Sequence, residues 1–260
     1  MNKIAVVLPV YNHGDLLLEA LSGILITHPV LSKITKIILV NDGSTDNTDS
    51  VISNSILKLS QEIELVYIDR KENKGLVYSL NEGFTEALKD KDVKYLTWTS
   101  ADNNPSFDYL LSLYISLTAT DGAAVYSDYC QINEKGEHIR DMSKGKYILN
   151  GRINFGPSFM VTREVVEAVG LFDKETYLCE DRDWCNRIAL HIAQNNLQLI
   201  WLKKNIYKYR MHSKSLTSDL INKKISASPA WEVMIKKWGH LSQNPVPINV
   251  VEFDLNTGVV

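Results

Sequence analysis

Cysteine is scarce in this sequence of 260 residues: three, at Cys130, Cys179 and Cys185, with no CxxC pair. That argues against a disulfide framework or a zinc site and fits a reducing cytoplasm. Basic charge is not in excess either. The 28 Lys and Arg stand against 31 Asp and Glu, a formal net charge of -3, and no dense basic cluster offsets it. Nucleic acid is therefore not an expected partner. Long apolar runs are missing. The first, at 4–10, is too short to span a bilayer, contains Pro9, and lacks the basic flank and small-residue cleavage site of a signal peptide. A cytoplasmic location is expected, with any membrane contact peripheral and at the inner face. Glycine-rich phosphate loops are lacking as well: no GxGxxG follows the first apolar run, and GxxxxGK[ST] occurs nowhere. There is no internal repeat and no low-complexity segment.

What is present is an ordinary globular composition, 45% hydrophobic and 23% charged, at a length that suits one large domain. The first hundred residues alternate strand and helix signals. Strands are expected at 4–10, 36–41, 63–69 and 93–99. Between them lie a helical pattern from Leu16, a helix over 46–59, and an apolar face through Leu76, Leu80, Phe84, Ala87 and Leu88. Pro105 is expected to begin a further helix. Short links between alternating elements mean a doubly wound, mainly parallel α/β sheet with helices on both faces. Such sheets take their ligands at the carboxyl ends of the strands. Asn12 follows the first strand, Asp42 the second, Arg70 the third and Asp102 the fourth, so four polar groups should converge on one crevice.

The second half is less regular. A hairpin is expected at 123–132 and 137–140, a mobile loop at 141–155, a short strand and helix at 159–169, and a helix at 181–193. Strands follow at 198–202 and 206–210, then a basic amphipathic stretch over 219–238 interrupted at Pro229, and a loosely packed tail.

Several short motifs carry the chemistry. Gly43 lets the backbone turn beneath Asp42, whose carboxylate can accept hydrogen bonds from a base or ribose; Ser44, Thr45 and Asp46 read as helix-capping residues. The ordered set resembles family 2 of the inverting glycosyltransferases, which have the GT-A fold. It consists of Val7-Leu8-Pro9-Val10-Tyr11-Asn12, Val40-Asn41-Asp42-Gly43-Ser44-Thr45-Asp46, Asn73-Lys74-Gly75, Asn81-Glu82-Gly83, Ser100-Ala101-Asp102-Asn103, Gly170-Leu171-Phe172-Asp173, Glu180-Asp181 and Tyr209-Arg210-Met211-His212. The resemblance covers about residues 1–217. It implies a nucleotide-sugar-binding half over 1–103, an acceptor and catalytic-base half with a small acceptor-side subregion over 104–217, and a C-terminal helical extension and tail over 218–260.

The resemblance also implies roles. The donor, a nucleotide-sugar with UDP favoured, would lie against Pro9, Tyr11, Asn12, Asp42, Arg70, Lys74, Ser100, Ala101 and Asp102. The family's Asp-x-Asp falls on Ser100-Ala101-Asp102, so the first carboxylate is missing here. Asp102 and His212 would hold a divalent metal, Mn or Mg, against the diphosphate; the other five histidines are expected to be structural. Asp181 would be the catalytic base. Glu180, Gly156, Pro157 and Ser158 would face the acceptor, a carbohydrate or a lipid-linked glycan, and the loop at 141–155 would close over the donor. Trp98 is expected in the core, with Trp184 left open between core and sugar stacking. The implied activity is inverting sugar transfer to a hydroxyl, in polysaccharide or glycan biosynthesis. A sugar nucleotidyltransferase and a non-catalytic nucleotide- or carbohydrate-binding relative stay open. Ser100 keeps the second of these in play, and oligomeric state is undetermined.

Overall fold

The computed structural model describes residues 2–25, 29–56, 63–213, 215–222 and 225–255. In chain order its first half contains β1 (Lys3–Val10), α1 (Gly14–Leu25), α2 (Pro29–Ser32), β2 (Thr35–Asn41), α3 (Thr48–Val51), β3 (Glu64–Asp69), α4 (Leu76–Lys89), β4 (Val93–Trp98), β5 (Asn104–Pro105) and α5 (Tyr109–Thr120). The second half contains β6 (Ala124–Ile132), β7 (His138–Met142), β8 (Phe159–Thr162), α6 (Arg163–Val169), α7 (Glu180–Gln194), β9 (Leu199–Arg210), α8 (Leu216–Ile221), α9 (Ser228–Gln243) and β10 (Val250–Phe253).

Ten strands form one sheet, ordered β10-β9-β6-β8-β4-β1-β2-β3, with β5 added on β9 and β7 on β6. Pairing is parallel from β4 through β1 and β2 to β3, and from β6 through β9 to β10. Between these blocks β8 runs antiparallel to both β4 and β6. The run at 4–10 is apolar throughout because β1 is buried on both faces. Its Ile4, Val6 and Leu8 pack with Leu17 and Leu21 of α1 and with Tyr109 and Leu113 of α5. Ala5 and Val7, one residue out of phase, pack on the other side with Leu80 and Phe84 of α4 and Trp184 of α7. The mainly parallel α/β sheet with a core on each face is as expected.

Four expectations fail. Pro105 does not start a helix. Asn104 and Pro105 pair with Lys208 and Tyr207 of β9, and the helix begins at Tyr109. The strands expected at 198–202 and 206–210 are one strand, β9. The helix expected over 46–59 reduces to α3 and a π-helical segment, Ile52–Ile56, with residues 57–59 outside the described residues. The tail is not loosely packed throughout. Val250–Phe253 pairs in parallel with Leu199–Leu202 and buries Phe253, while 256–260 lie outside the described residues. In the basic stretch, Pro229 sits in the first turn of α9, where its missing N–H costs nothing, and residues 223 and 224 lie outside the described residues.

Candidate functional site

The carboxyl ends of β1, β2 and β4 deliver their loops to one side of the sheet, and the side chains there are held by one another. Asp42, buried beyond β2, accepts from the backbone N–H groups of Lys74 (2.9 Å) and Gly75 (2.8 Å) and from Arg70 Nη1 (2.8 Å). The strand end is thereby fixed to the loop entering α4. Gly43, at φ +70°, passes so close to Glu72 and Asn73 that an added Cβ would lie 2.6 Å from the Glu72 carbonyl carbon. Asn12, left-handed at φ 55°, accepts at its side-chain oxygen from the N–H of Thr45 (2.7 Å) and donates its own N–H to Ser44 Oγ (3.0 Å). The β1 and β2 ends are therefore stitched together, with Tyr11 exposed beside them.

Arg70 is corrected by this geometry. Its five N–H donors go to Asp42, Ser79, the Tyr78 carbonyl and, twice, Glu82, leaving none for a phosphate. It positions Asp42. Lys74 meets Asp42 through its backbone, and its side chain is exposed. Pro9 and Ala101 are buried, Ala101 in the core shared with α1 and α5, so neither side chain lies open to a donor.

On the other side of β1, Asp102 follows β4. Its Oδ2 lies 2.9 Å from His212 Nε2 and 3.9 Å from His13 Nε2. The two imidazoles stand edge to face, centroids 5.3 Å apart. Arg210 braces this corner from beneath. Its Nε donates to the Asp102 carbonyl, its Nη2 to Glu19, and its N–H to Asn103 Oδ1. Sequence reasoning put His13 among the structural histidines. Its place directly after Asn12, at a strand's carboxyl end, was the available signal.

A divalent ion suits this donor set. The ligating atoms of His13, Asp102 and His212 all lie within 4.8 Å of one another. Bonds of about 2.1 Å place neighbouring donors about 3 Å apart. Small side-chain movements therefore bring them onto one ion.

Asp181 sits in the first turn of α7, where the helix dipole favours its negative charge. Its Oδ2 accepts from Asn154 Nδ2 (2.9 Å) and its Oδ1 from the N–H of Arg182 (2.7 Å). Asn154 also accepts the N–H of Gly156 (2.7 Å) and so links Asp181 to the segment expected to meet an acceptor. Asn154 was absent from the sequence-based site, because its importance comes only from that contact. Lys144 lies against Gly156 and over the Tyr129 ring, its ammonium held below the usual lysine range by burial. Tyr209 is half-buried, its hydroxyl hydrogen-bonded with Thr217 Oγ1 (2.7 Å). Burial, with a further push from the charges of Asp102 and Asp181, raises its hydroxyl to about 12.

Three expectations on this side change. Ser158 is fully buried and shares a hydrogen bond with Ser127, so its hydroxyl does not face an acceptor. Glu180 is buried, with Oε2 unpartnered among the described residues, and does not reach outward. The loop at 141–155 is anchored rather than mobile: Leu149, Ile153 and Phe155 are buried, and Leu149 bridges Val246. Trp184 is core. Its indole N–H donates to the Gly170 carbonyl and its ring stacks on Phe172. Trp98 packs against the same core, as expected.

Comparison with known proteins agrees with this architecture. The family model described as Glycosyl transferase family 2 matches residues 5–170. An uncharacterised glycosyltransferase of Rickettsia conorii is 24% identical over 246 residues, 88% of this chain and 37% of that protein. A poly-beta-1,6-N-acetyl-D-glucosamine synthase of Staphylococcus aureus is 32% identical over 90 residues, 35% of this chain and 20% of that one. The chain thus spans about a third of the length of one of these relatives and a fifth of the other. Among solved structures, Staphylococcus aureus TarS 1-349 in complex with UDP-GlcNAc aligns with a TM-score of 0.69 at 16% identity, covering 89% of this chain and 64% of that one. The mannosyltransferase PcManGT of Pyrobaculum calidifontis, in complex with GDP-Man and Mn2+, aligns at 0.64 and 17%, covering 90% and 64%. These likenesses show the fold, the GT-A type expected from the motifs.

Proposed function

The chain belongs to glycosyl transferase family 2, and from that membership we propose that it moves a sugar from a nucleotide-sugar to an acceptor hydroxyl with inversion. The observation that carries the proposal is Asp181: a carboxylate in the first turn of α7, held at Oδ2 by Asn154, which also holds the Gly156 N–H. Asp42 and the Asn12-stitched strand ends form the nucleoside end, with Asp42 held rigid by Arg70 and the loop amides. Asp102 and His212 would hold the divalent metal, Mn or Mg, which when bound neutralises charge gathering on the departing diphosphate.

Asp181 takes the proton from the acceptor hydroxyl as its oxygen bonds to the anomeric carbon. The bond from that carbon to the diphosphate breaks in the same displacement, and the nucleoside diphosphate leaves. One displacement inverts the anomeric centre. Asn154 donates to Oδ2 and so keeps the base from turning away. Gly156 and Pro157 border the acceptor side.

UDP is the proposed donor nucleotide, supported by the UDP-GlcNAc complex of TarS, with GDP as the alternative supported by PcManGT. A glycan acceptor, in polysaccharide or lipid-linked glycan assembly, is supported by the poly-N-acetylglucosamine synthase relative. Among the described residues no helix is long and apolar enough to cross a membrane. A cytoplasmic site of action, peripheral to the membrane, is proposed on the three buried free thiols.

The test is release of UDP or GDP from UDP-GlcNAc and GDP-Man with a panel of glycan acceptors, followed by NMR of the product's anomeric configuration. Asp181→Asn is expected to lower turnover by about 10²–10⁴-fold while nucleotide binding persists. Nucleotide binding without turnover in the unmodified protein would assign it instead to the non-catalytic relatives that Ser100 keeps in play.

A further inference from the structure

The motif that normally brings two acids to the metal has Ser100 in the first place, so one carboxylate is missing. The structure brings a different donor to the same corner. His13 lies in the turn between β1 and α1, its carbonyl accepting the N–H groups of Leu16 and Leu17, which fixes its backbone. Its Nε2 points at the same Asp102 oxygen that His212 Nε2 meets, 3.9 Å against 2.9 Å. All three side chains are mostly shielded, at 19%, 14% and 3% exposure for His13, Asp102 and His212. The two imidazoles stand edge to face, and the three ligating atoms lie within 4.8 Å of one another.

We propose that His13 is the third protein ligand of the metal and replaces the carboxylate missing at Ser100. The ligand set becomes two imidazole nitrogens and one carboxylate, with donor phosphates and water completing the shell. It rests on the glycosyl-transfer proposal only for the metal's task. Imidazole suits Zn²⁺, Fe²⁺ and Ni²⁺ best; Mn²⁺ prefers oxygen but takes nitrogen beside it more readily than Mg²⁺, which favours oxygen and keeps its waters. A site with one carboxylate and two imidazoles therefore discriminates against Mg²⁺ where an all-oxygen site would not. The nitrogens also let the ion bind before any nucleotide arrives.

The experiment uses the full chain and Mn²⁺ alone, without nucleotide. Loss of the free-ion electron paramagnetic resonance signal gives affinity, and electron spin-echo modulation of bound Mn²⁺ counts coordinated nitrogens. The wild type should show two imidazole nitrogens and hold Mn²⁺ against a large excess of Mg²⁺. His13→Ala and His13→Gln should bind Mn²⁺ about tenfold or more weakly, with one nitrogen left in each. Thermal melting without metal checks that both variants fold. Ser100→Asp in the His13→Ala background should recover Mn²⁺ binding and let Mg²⁺ compete. Two nitrogens in His13→Gln, or Mn²⁺ affinity within twofold of wild type in both variants, would overturn the proposal. Absence of sugar transfer with nitrogen counts as expected would overturn the functional proposal and leave this one standing.

Discussion

Glu180 has a buried carboxyl with one oxygen unpartnered among the described residues. Burial first, and the negative charge of Asp181 second, raise its pKa from 4.5 to about 7. The folded state therefore holds this proton more tightly than the unfolded chain does. Below pH 4.5 both states are protonated and the difference vanishes. Between 4.5 and about 7 the unfolded chain ionises first, so stability falls as pH rises, by about 3 kcal/mol over that window. Glu180→Gln removes the group that resists ionisation. Its urea midpoint should change less than that of wild type between pH 5 and pH 8, and equal slopes would refute the assignment. Residues of this kind show what was legible. Asp42, Asp102, Asp181 and His212 could be picked out because short motifs sit at strand or helix ends. Asn154 could not, since it matters only through a partner distant in sequence, and His13 was passed over although it directly follows Asn12 at the end of β1. Arg70 and Ser158 were misjudged for the complementary reason: spacing does not tell whether a polar group is already satisfied within the fold.

Close packing of α4 on β1 tests the next scale. Gly83 lies on the face of α4 that meets Val7, and a Cβ there would stand 2.3 Å from Val7 Cγ1. Helix propensity favours Gly83→Ala by about 1 kcal/mol. Overpacking a core typically costs about 1–3 kcal/mol, and Val7 is wholly buried with no room to give way. At a mid-range cost the clash wins, and Gly83→Ala should lower stability by about 1 kcal/mol in urea unfolding. In a double-mutant cycle with Val7→Ala, the penalty should shrink, because the removed methyl is the obstacle. The neighbouring Asn81 has a similar structural task. It exchanges two 2.9 Å hydrogen bonds with the backbone of Phe172, tying two of the motifs together. At this scale the alternation of β1 to β4 with helices was plain in the apolar periodicity. Strand β9 was split in two because Lys203, Lys204 and Asn205 are exposed in its middle, where its register with β6 also shifts. Pro105 followed a sound helix-start rule, but pairing with β9 came first.

The division at residue 217 that the motifs suggest is not a division of the core. Ala230, Met234, Trp238 and Leu241 of α9 belong to the same hydrophobic cluster as Phe84 and Trp184, and Phe253 of β10 fills the cluster on the other face. Polar ties accompany them. Trp238 Nε1 donates to Asp183 Oδ1 (3.0 Å), and Lys237 pairs with both Asp173 and Asp183, the latter two residues beyond Asp181 on α7. Emptying each large apolar site costs about 2–5 kcal/mol, and α9 with β10 supplies Met234, Trp238, Leu241 and Phe253. Four such losses come to about 14 kcal/mol at mid-range values, near the top of the roughly 5–15 kcal/mol that separates folded from unfolded domains. The tail was illegible as structure because β10 is only four residues long and finds its register on β9, far away in sequence. A chain cut after residue 217 keeps every site residue named above, yet it should show no cooperative transition by circular dichroism and should bind a hydrophobic dye before any denaturant is added. Cooperative unfolding near the full-length midpoint would instead make 218–260 an appendage. Failure to fold would mean that the family motifs mark the site residues while the C-terminal segment, outside them, holds the helix that carries Asp181.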